Sequence, residues 1–299
     1  MTTEVSPLDL ATPRSETALM QHLQLLVGRE GHRMWCGGVI DRAKLPTFVA
    51  KMAARYPITR NTRQRIYDRT RGVAVVHFVA YPVADKVYWW LLSDAGTGGL
   101  ADPASEDTRV ARDAMAADGH ITFGDYVLLY ATKREWRELQ CPKTKESKGF
   151  HKQTSTWTWK LRGDVVRELK RSIEHYCEQL EYGSEGAGGQ RAWGLRGLLA
   201  LLRYRPLFSG VRSQVLTLHR DAMELWKPRQ DLWRNRYPAF VKQYGQAAGA
   251  LTPLRELLAT RMPKMRRIRI YDEPPVTLRI LAADIADETV TVVTEEVQQ

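Results

Sequence analysis

Residues 73–92 read VAVVHFVAYPVADKVYWWLL. Two runs rich in β-branched and aromatic side chains, 73–81 and 87–92, flank the short link PVADK, and that pattern predicts a β-hairpin. Two further strand patterns follow at 120–132 (HITFGDYVLLYAT) and 154–161 (TSTWTWKL), the second with Trp157 and Trp159 alternating. Large side chains in such runs pack a sheet against helices, so Trp89, Trp90, Trp157 and Trp159 are expected in the core.

Helical patterns surround these strands. Leu19, Leu23, Leu26 and Val27 form a helical stripe in the stretch beginning at Thr17, where HLQLLV would also suit a strand; the helix is favoured. Pro46 suits the first turn of a helix over 44–56, and Pro57 limits its far end. A third helix is expected over 103–117, and a fourth from an Asp164 N-cap to about Tyr182. The fold class is therefore α+β: an antiparallel sheet of at least four strands with packed helices on one side. A mainly helical basic region follows, ending in a short C-terminal β-hairpin over 265–271 and 276–281.

Composition sets the boundaries. Residues 1–16 are polar, carry Pro7 and Pro13, and are expected to be a flexible tail. Residues 17–182 form the sheet domain, GSEGAGGQ over 183–190 is a Gly-rich linker, and 191–299 form the basic helical domain with its terminal hairpin.

Charge is concentrated. Residues 190–238 hold ten Lys or Arg against three acids, so most of the chain's formal net charge of +11 lies in about one sixth of its length. Trp193, Tyr204, Phe208, Trp226, Trp233 and Tyr237 are threaded through it. A local excess of cations on consecutive helices is what a polyanion-binding surface requires. The residues expected to contact nucleic-acid phosphates are Arg191, Arg196, Arg203, Arg205, Arg212, Arg220, Arg229, Arg234 and Arg236. A second run, TRNTRQRIYDRTRG over 59–72, adds Arg63, Arg65 and Arg69 as a clamp beside the sheet, or as an exposed face satisfied by Asp102, Glu106 and Asp107. The two patterns after the linker, near 193–204 and 211–226, resemble a helix-turn-helix with a turn longer than usual. A solvated basic face on a helical bundle explains the same residues.

Catalytic and metal-binding patterns are sparse. No GxxxxGK[ST], GxGxxG, GxSxG or HExxH occurs, which argues against the commonest nucleotide-binding and hydrolase classes. His32 and Cys36 lie four apart and His175 and Cys177 two apart, but no CxxC or HxxxH pair outlines a closed site, so no metal and no cofactor is expected. His120 and His151 are the candidates for metal-independent attack on RNA, with the basic loop 133–152 bringing His151 to phosphate.

The expected function is a non-catalytic nucleic-acid-binding protein, with DNA favoured over RNA because the cations lie on helices. The alternatives are a histidine endoribonuclease or RNA-processing enzyme, and a structural subunit with protein partners in a nucleoprotein assembly. Three widely spaced cysteines and the absence of a signal-like or membrane-length apolar run place the protein in the cytoplasm as an expectation, with no membrane partner.

Overall fold

A computed structural model describes residues 6–105, 107–140, 147–178, 194–236, 238 and 262–283. The chain divides into two compact units, one of residues 1–121, 128–157 and 267–299, the other of residues 122–127 and 158–266. The expected linker 183–190 lies outside the described residues.

In the first unit, helix α1 (Glu16–Gly28) starts at Ser15, whose side chain accepts from the Ala18 amide, and buries Ala18, Leu19, Met20, Leu23, Leu26 and Val27. Strand β1 (Met34–Asp41), helix α2 (Leu45–Arg55) and helix α3 (Thr62–Thr70) follow. α3 is closed by a capping box in which Asn61 and Gln64 satisfy each other's amides, both at 2.9 Å. Strands β2 (Val76–Val83) and β3 (Lys86–Ser93) are the expected hairpin, and the short β4 (Arg112–Asp113) completes an antiparallel sheet in the order β2-β3-β1-β4. Pro82 is tolerated because β2 is an edge strand.

Both faces of this sheet are covered, where helices on one side only were expected. Val76, Phe78 and Ala80 of β2, Val87 and Leu91 of β3 and Cys36 of β1 pack with Leu45, Val49 and Met52 of α2. The alternating positions, His77 and Val79 of β2, Trp90 and Leu92 of β3 and Trp35 of β1, point the other way, and all but the partly exposed His77 are buried. α1 lies over that face: the Tyr81 hydroxyl bonds the Glu16 backbone, and His22 lies within electrostatic range of His77. Buried Trp90 and Trp157 and partly buried Trp89 pack in this unit as the sequence led us to expect.

Three expectations are corrected. Residues 6–14 are held in place, with buried Thr12 donating its hydroxyl to the Ala80 carbonyl of edge strand β2 at 2.9 Å. The C-terminal hairpin does not form between 265–271 and 276–281; both segments instead bond the N-terminal residues, through Arg14 N to Ile270 O, Thr12 N to Val276 O and Leu278 N to Leu10 O. Extended backbone takes whichever partner satisfies its groups, and here that partner is distant in sequence. Finally, the described residues of 103–117 form turns and β4 instead of a helix. Asp102 accepts from the Gly98 and Ala104 amides, and Thr108 donates to the Asp102 and Ser105 carbonyls, so short polar side chains outcompete helical bonding.

Strands β5 (Ile121–Phe123), β6 (Tyr126–Gln140) and β7 (Ser147–Leu161) form a second sheet in that order. In the second unit the end of β7 meets helices α4 (Gly163–Glu178), α5 (Leu195–Leu202) and α6 (Ser209–Arg236). α6 runs unbroken through Pro228, past the 211–226 pattern expected from the sequence. Its stripe of Val211, Val215, Leu218, Ala222 and Trp226 is buried, and α6 packs on α4. Its start is fixed to β7: Gly210 N donates to Thr158 Oγ1 at 3.0 Å, and Gln214 bonds both backbone groups of Leu161.

A Cβ at Gly210 would collide with the Trp159 carbonyl oxygen, whereas one at Gly163 would meet only the end of Arg167 at 3.6 Å. Gly210→Ala is therefore expected to cost about 1–3 kcal/mol in urea unfolding, and Gly163→Ala to stay within about 0.5 kcal/mol of the parent. Equal effects would refute this account of how α6 is seated.

Candidate functional site

The densest group of chemically versatile side chains lies at one end of the first unit's sheet, where α1 hands over to β1 and β2 begins beside the end of β3. The α1 C-terminus shapes it. Its orphan Leu26 carbonyl accepts from the His32 amide at 3.0 Å and from His32 Nδ1 at 3.3 Å, which fixes the imidazole in place. Gly31 (φ +82°) turns the chain between Glu30 and His32, a conformation that glycine adopts without strain. His77 projects from β2 onto the same face, its ring edge-on to that of His32 with centroids 4.6 Å apart. Glu30 Oε2 stands 3.8 Å from His77 Nε2 and 4.0 Å from His32 Nδ1.

Around this centre sit His22 of α1, Arg65 and Arg69 of α3, Asp94 and Tyr271. The Tyr271 hydroxyl and His22 Nε2 are 3.0 Å apart. Arg69 Nε donates to Asp94 Oδ2 at 3.0 Å, and Asp94 Oδ1 accepts from the Val75 amide at 2.6 Å, which pins α3 to the open end of the β2–β3 hairpin. Arg65 reaches inward, and its Nη2 donates to the Ile58 carbonyl at 3.4 Å. Three nitrogens of the group, His22 Nδ1, His32 Nε2 and Arg65 Nε, are buried without a hydrogen-bond partner.

Burial disfavours the charged form of all three histidines. Burial, reinforced by Arg65 and the neighbouring imidazoles, lowers His22 to about 4 and His77 to about 2. Burial also lowers His32, against the opposing pull of Asp94. Tyr271 is pushed up to about 12 by burial, so it stays protonated.

The sequence had marked His32 only for its spacing to Cys36, and the fold separates the two. Cys36 faces α2 on the opposite side of the sheet, and burial raises its thiol to about 12. Arg65 and Arg69 were expected on a solvent-facing clamp. Arg65 is instead half-buried and Arg69 is paired with Asp94, while Arg63 is exposed with no ion pair among the described residues. Asp107, expected to offset this run, pairs with Arg55 and accepts from Tyr56.

The helical cations divide similarly. Arg196 and Arg220 are exposed. Arg205 binds Asp125 at 2.7 Å and Arg212 donates to the Met262 carbonyl, so both serve the second unit's own packing. Arg203 is half-buried, Arg229 pairs with Glu178 at 3.6 Å, and Arg236 is exposed. Arg191 lies outside the described residues, and Arg234 is placed only as a position on α6. Arg212, Arg220, Lys227 and Arg234 fall within one quadrant of that helix at 100° per residue, away from its buried stripe.

The two catalytic candidates are not assembled with partners. His120 precedes β5, and His151 lies exposed on β7; neither bonds an acid among the described residues. His151 instead packs against exposed Trp136, with ring centroids 5.0 Å apart. Trp136 lies over Gly149, where a Cβ would collide with its ring. Among the described residues, no helix is long and apolar enough to cross a membrane.

No protein-family model, curated protein or solved structure matches this chain.

The lowered His22 makes a pH test available. In the unfolded chain it titrates near 6.5, and in the folded chain at about 4. The unfolded state thus takes up a proton that the native state refuses, and stability present above pH 6.5 is lost as pH falls towards 4. Urea unfolding from pH 7 to pH 5 is expected to show this decline. His22→Gln, which keeps an amide for Tyr271, is expected to make it shallower; an unchanged slope would mean that His22 is charged in the native state.

Proposed function

We propose that this chain binds nucleic acid, using the β6–β7 ribbon as an arm that stacks on unpaired bases and exposed cations to neutralise phosphates. The observation that carries this reading is Trp136, 59% exposed on a strand whose neighbouring aromatics are also open: Tyr130 at 46% and Phe150 at 38%. Exposed Arg134, His151 and Lys152 share the ribbon with them. An exposed indole offers a stacking surface, and every base offers a π-face while its phosphate asks for a cation. Arg63 on α3, and Arg196, Arg220 and Lys227 on the helices of the second unit, supply further exposed positive charge.

This reading shifts weight from groove binding by α6 towards single-stranded substrates. α6 spends the residues of its first turns on packing, with Arg212 committed to the Met262 carbonyl, whereas the ribbon leaves its aromatics uncovered. Two-stranded ribbons also enter duplex grooves, so duplex binding with weaker discrimination accompanies it.

Fluorescence anisotropy with labelled single-stranded DNA, duplex DNA and structured RNA, titrated over salt, tests the proposal. Tightest binding is expected for the single strand, with affinity falling steeply as salt rises. Trp136→Ala is expected to remove about 1–3 kcal/mol of single-strand binding without changing the melting temperature. Arg220→Glu with Lys227→Glu is expected to flatten the salt dependence. No binding at low salt, or equal binding by Trp136→Ala, would overturn the assignment.

A further inference from the structure

We propose that Glu30, His32 and His77 form a binding site for a divalent first-row transition-metal ion. One donor atom from each residue lies within 4.8 Å of the others, although the three come from two stretches of chain 45 or more residues apart. Two imidazoles and one carboxylate are a donor set suited to Zn²⁺, Fe²⁺ or Mn²⁺ that leaves coordination positions open.

The hydrogen bonding of His32 points to a cation. The Leu26 carbonyl can only accept, so the proton of the neutral ring belongs on Nδ1, the nitrogen facing it at 3.3 Å. That leaves the lone pair on Nε2, which is fully buried without a partner; Glu30 Oε2 stands 4.0 Å from Nδ1 of the same ring, so an ion at Nε2 requires this carboxylate to swing along the ring edge. A backbone carbonyl holding one ring nitrogen while the other offers its lone pair is the usual support for a metal-bound histidine.

The rest of the group leaves the same need unmet. His77 Nε2 and Glu30 Oε2 are 3.8 Å apart, too far for a hydrogen bond. Two ligands on one tetrahedral ion stand roughly 3.3 Å apart. Glu30, with its side chain 37% exposed, is free to close that pair by about half an ångström, and the remaining donor atoms, all within 4.8 Å of one another, draw together around an ion. Arg65 does not fill the role of the cation, since its Nη2 is directed to Ile58 and its Nε has no partner. Its charge, with that of Arg69, favours an anionic group or hydroxide in the ion's open positions. The partly exposed Glu30 provides the side from which an ion enters.

The test uses the full chain, stripped with chelator, desalted and titrated with Zn²⁺ alone, with retained metal measured by elemental analysis and binding by calorimetry. One ion per chain is expected, together with a rise in melting temperature on zinc addition. Glu30→Gln, at a partly exposed position, is expected to keep the fold by circular dichroism and weaken binding at least about ten-fold. His77→Gln is expected to do the same or more, and His175→Gln, in the other unit, to bind as the parent does. Substitution by Co²⁺ is expected to give the visible absorption of a low-symmetry nitrogen and oxygen site. Binding weaker than about 100 µM in the parent, or equal binding by the Glu30→Gln and His77→Gln chains, would overturn the proposal. Trp136→Ala is expected to leave zinc binding intact, which separates this site from the nucleic-acid arm.

Discussion

A single carboxylate, Asp94, holds together the end of the sheet on which the candidate site depends. It accepts from the Val75 amide just before β2 and from Arg69 on α3, while sitting one residue beyond β3. The ladder already joins β2 to β3, and these two short bonds extend it by one residue and tie α3 to its open end. Arg69 could bind elsewhere without changing its own exposure greatly, but Val75 has no such freedom, because an amide at the edge of a buried strand needs an acceptor. With the hairpin closed in this way, His77 faces α1, and α3 carries Arg65 in among the histidines. Asp94 also acts at a distance, as a negative charge opposing the burial that lowers His32. The same group therefore helps to position the site and partly offsets the burial of one of its histidines.

The parts of this arrangement that were legible in the sequence are those governed by local chemistry. Residues 73–92 form the hairpin because β-branched and aromatic side chains fit a pleated surface, and α1 forms because its apolar residues recur at helical spacing beyond a serine cap. The site was not legible, because what makes it is register. Glu30 and His32 are neighbours in sequence, yet nothing local distinguishes them from any surface pair; His77 joins them only because β2 presents its odd-numbered residues to the α1 face. A spacing motif cannot encode a contact made across a sheet. The pairing of His32 with Cys36 failed for the complementary reason: four residues separate a loop position from a strand residue whose side chain points to the opposite face.

Charge misled in a similar way. Arginine is usually exposed, so a run of five between Arg60 and Arg71 reads as a solvent face. α3 contributes no fully buried residue, however, and is held chiefly by its polar groups: the capping box, Arg60 to Asp68, Arg69 to Asp94 and Arg65 to the Ile58 carbonyl. A helix attached through its arginines must turn some of them inward. The long aliphatic stem of Arg65 makes that possible, and the unpartnered Nε is what remains of the cost.

The nine tryptophans show how one residue type takes opposite roles along a single ribbon. Near its base Trp157 is buried against Gly28 of α1 and is in contact with Tyr130, and the Thr132 and Ser155 hydroxyls meet across the strands at 3.0 Å. Beyond that hydroxyl pair the pattern inverts: Trp136 is exposed, and so are Arg134, Glu138 and Phe150. Core packing cannot account for an indole in that position. Its ring is nevertheless placed, against Gly149, whose missing side chain makes room for it, and edge-on to His151. An aromatic face that is oriented by its own strand yet open to solvent has lost little conformational freedom still to be paid on binding, which is the property a stacking platform needs.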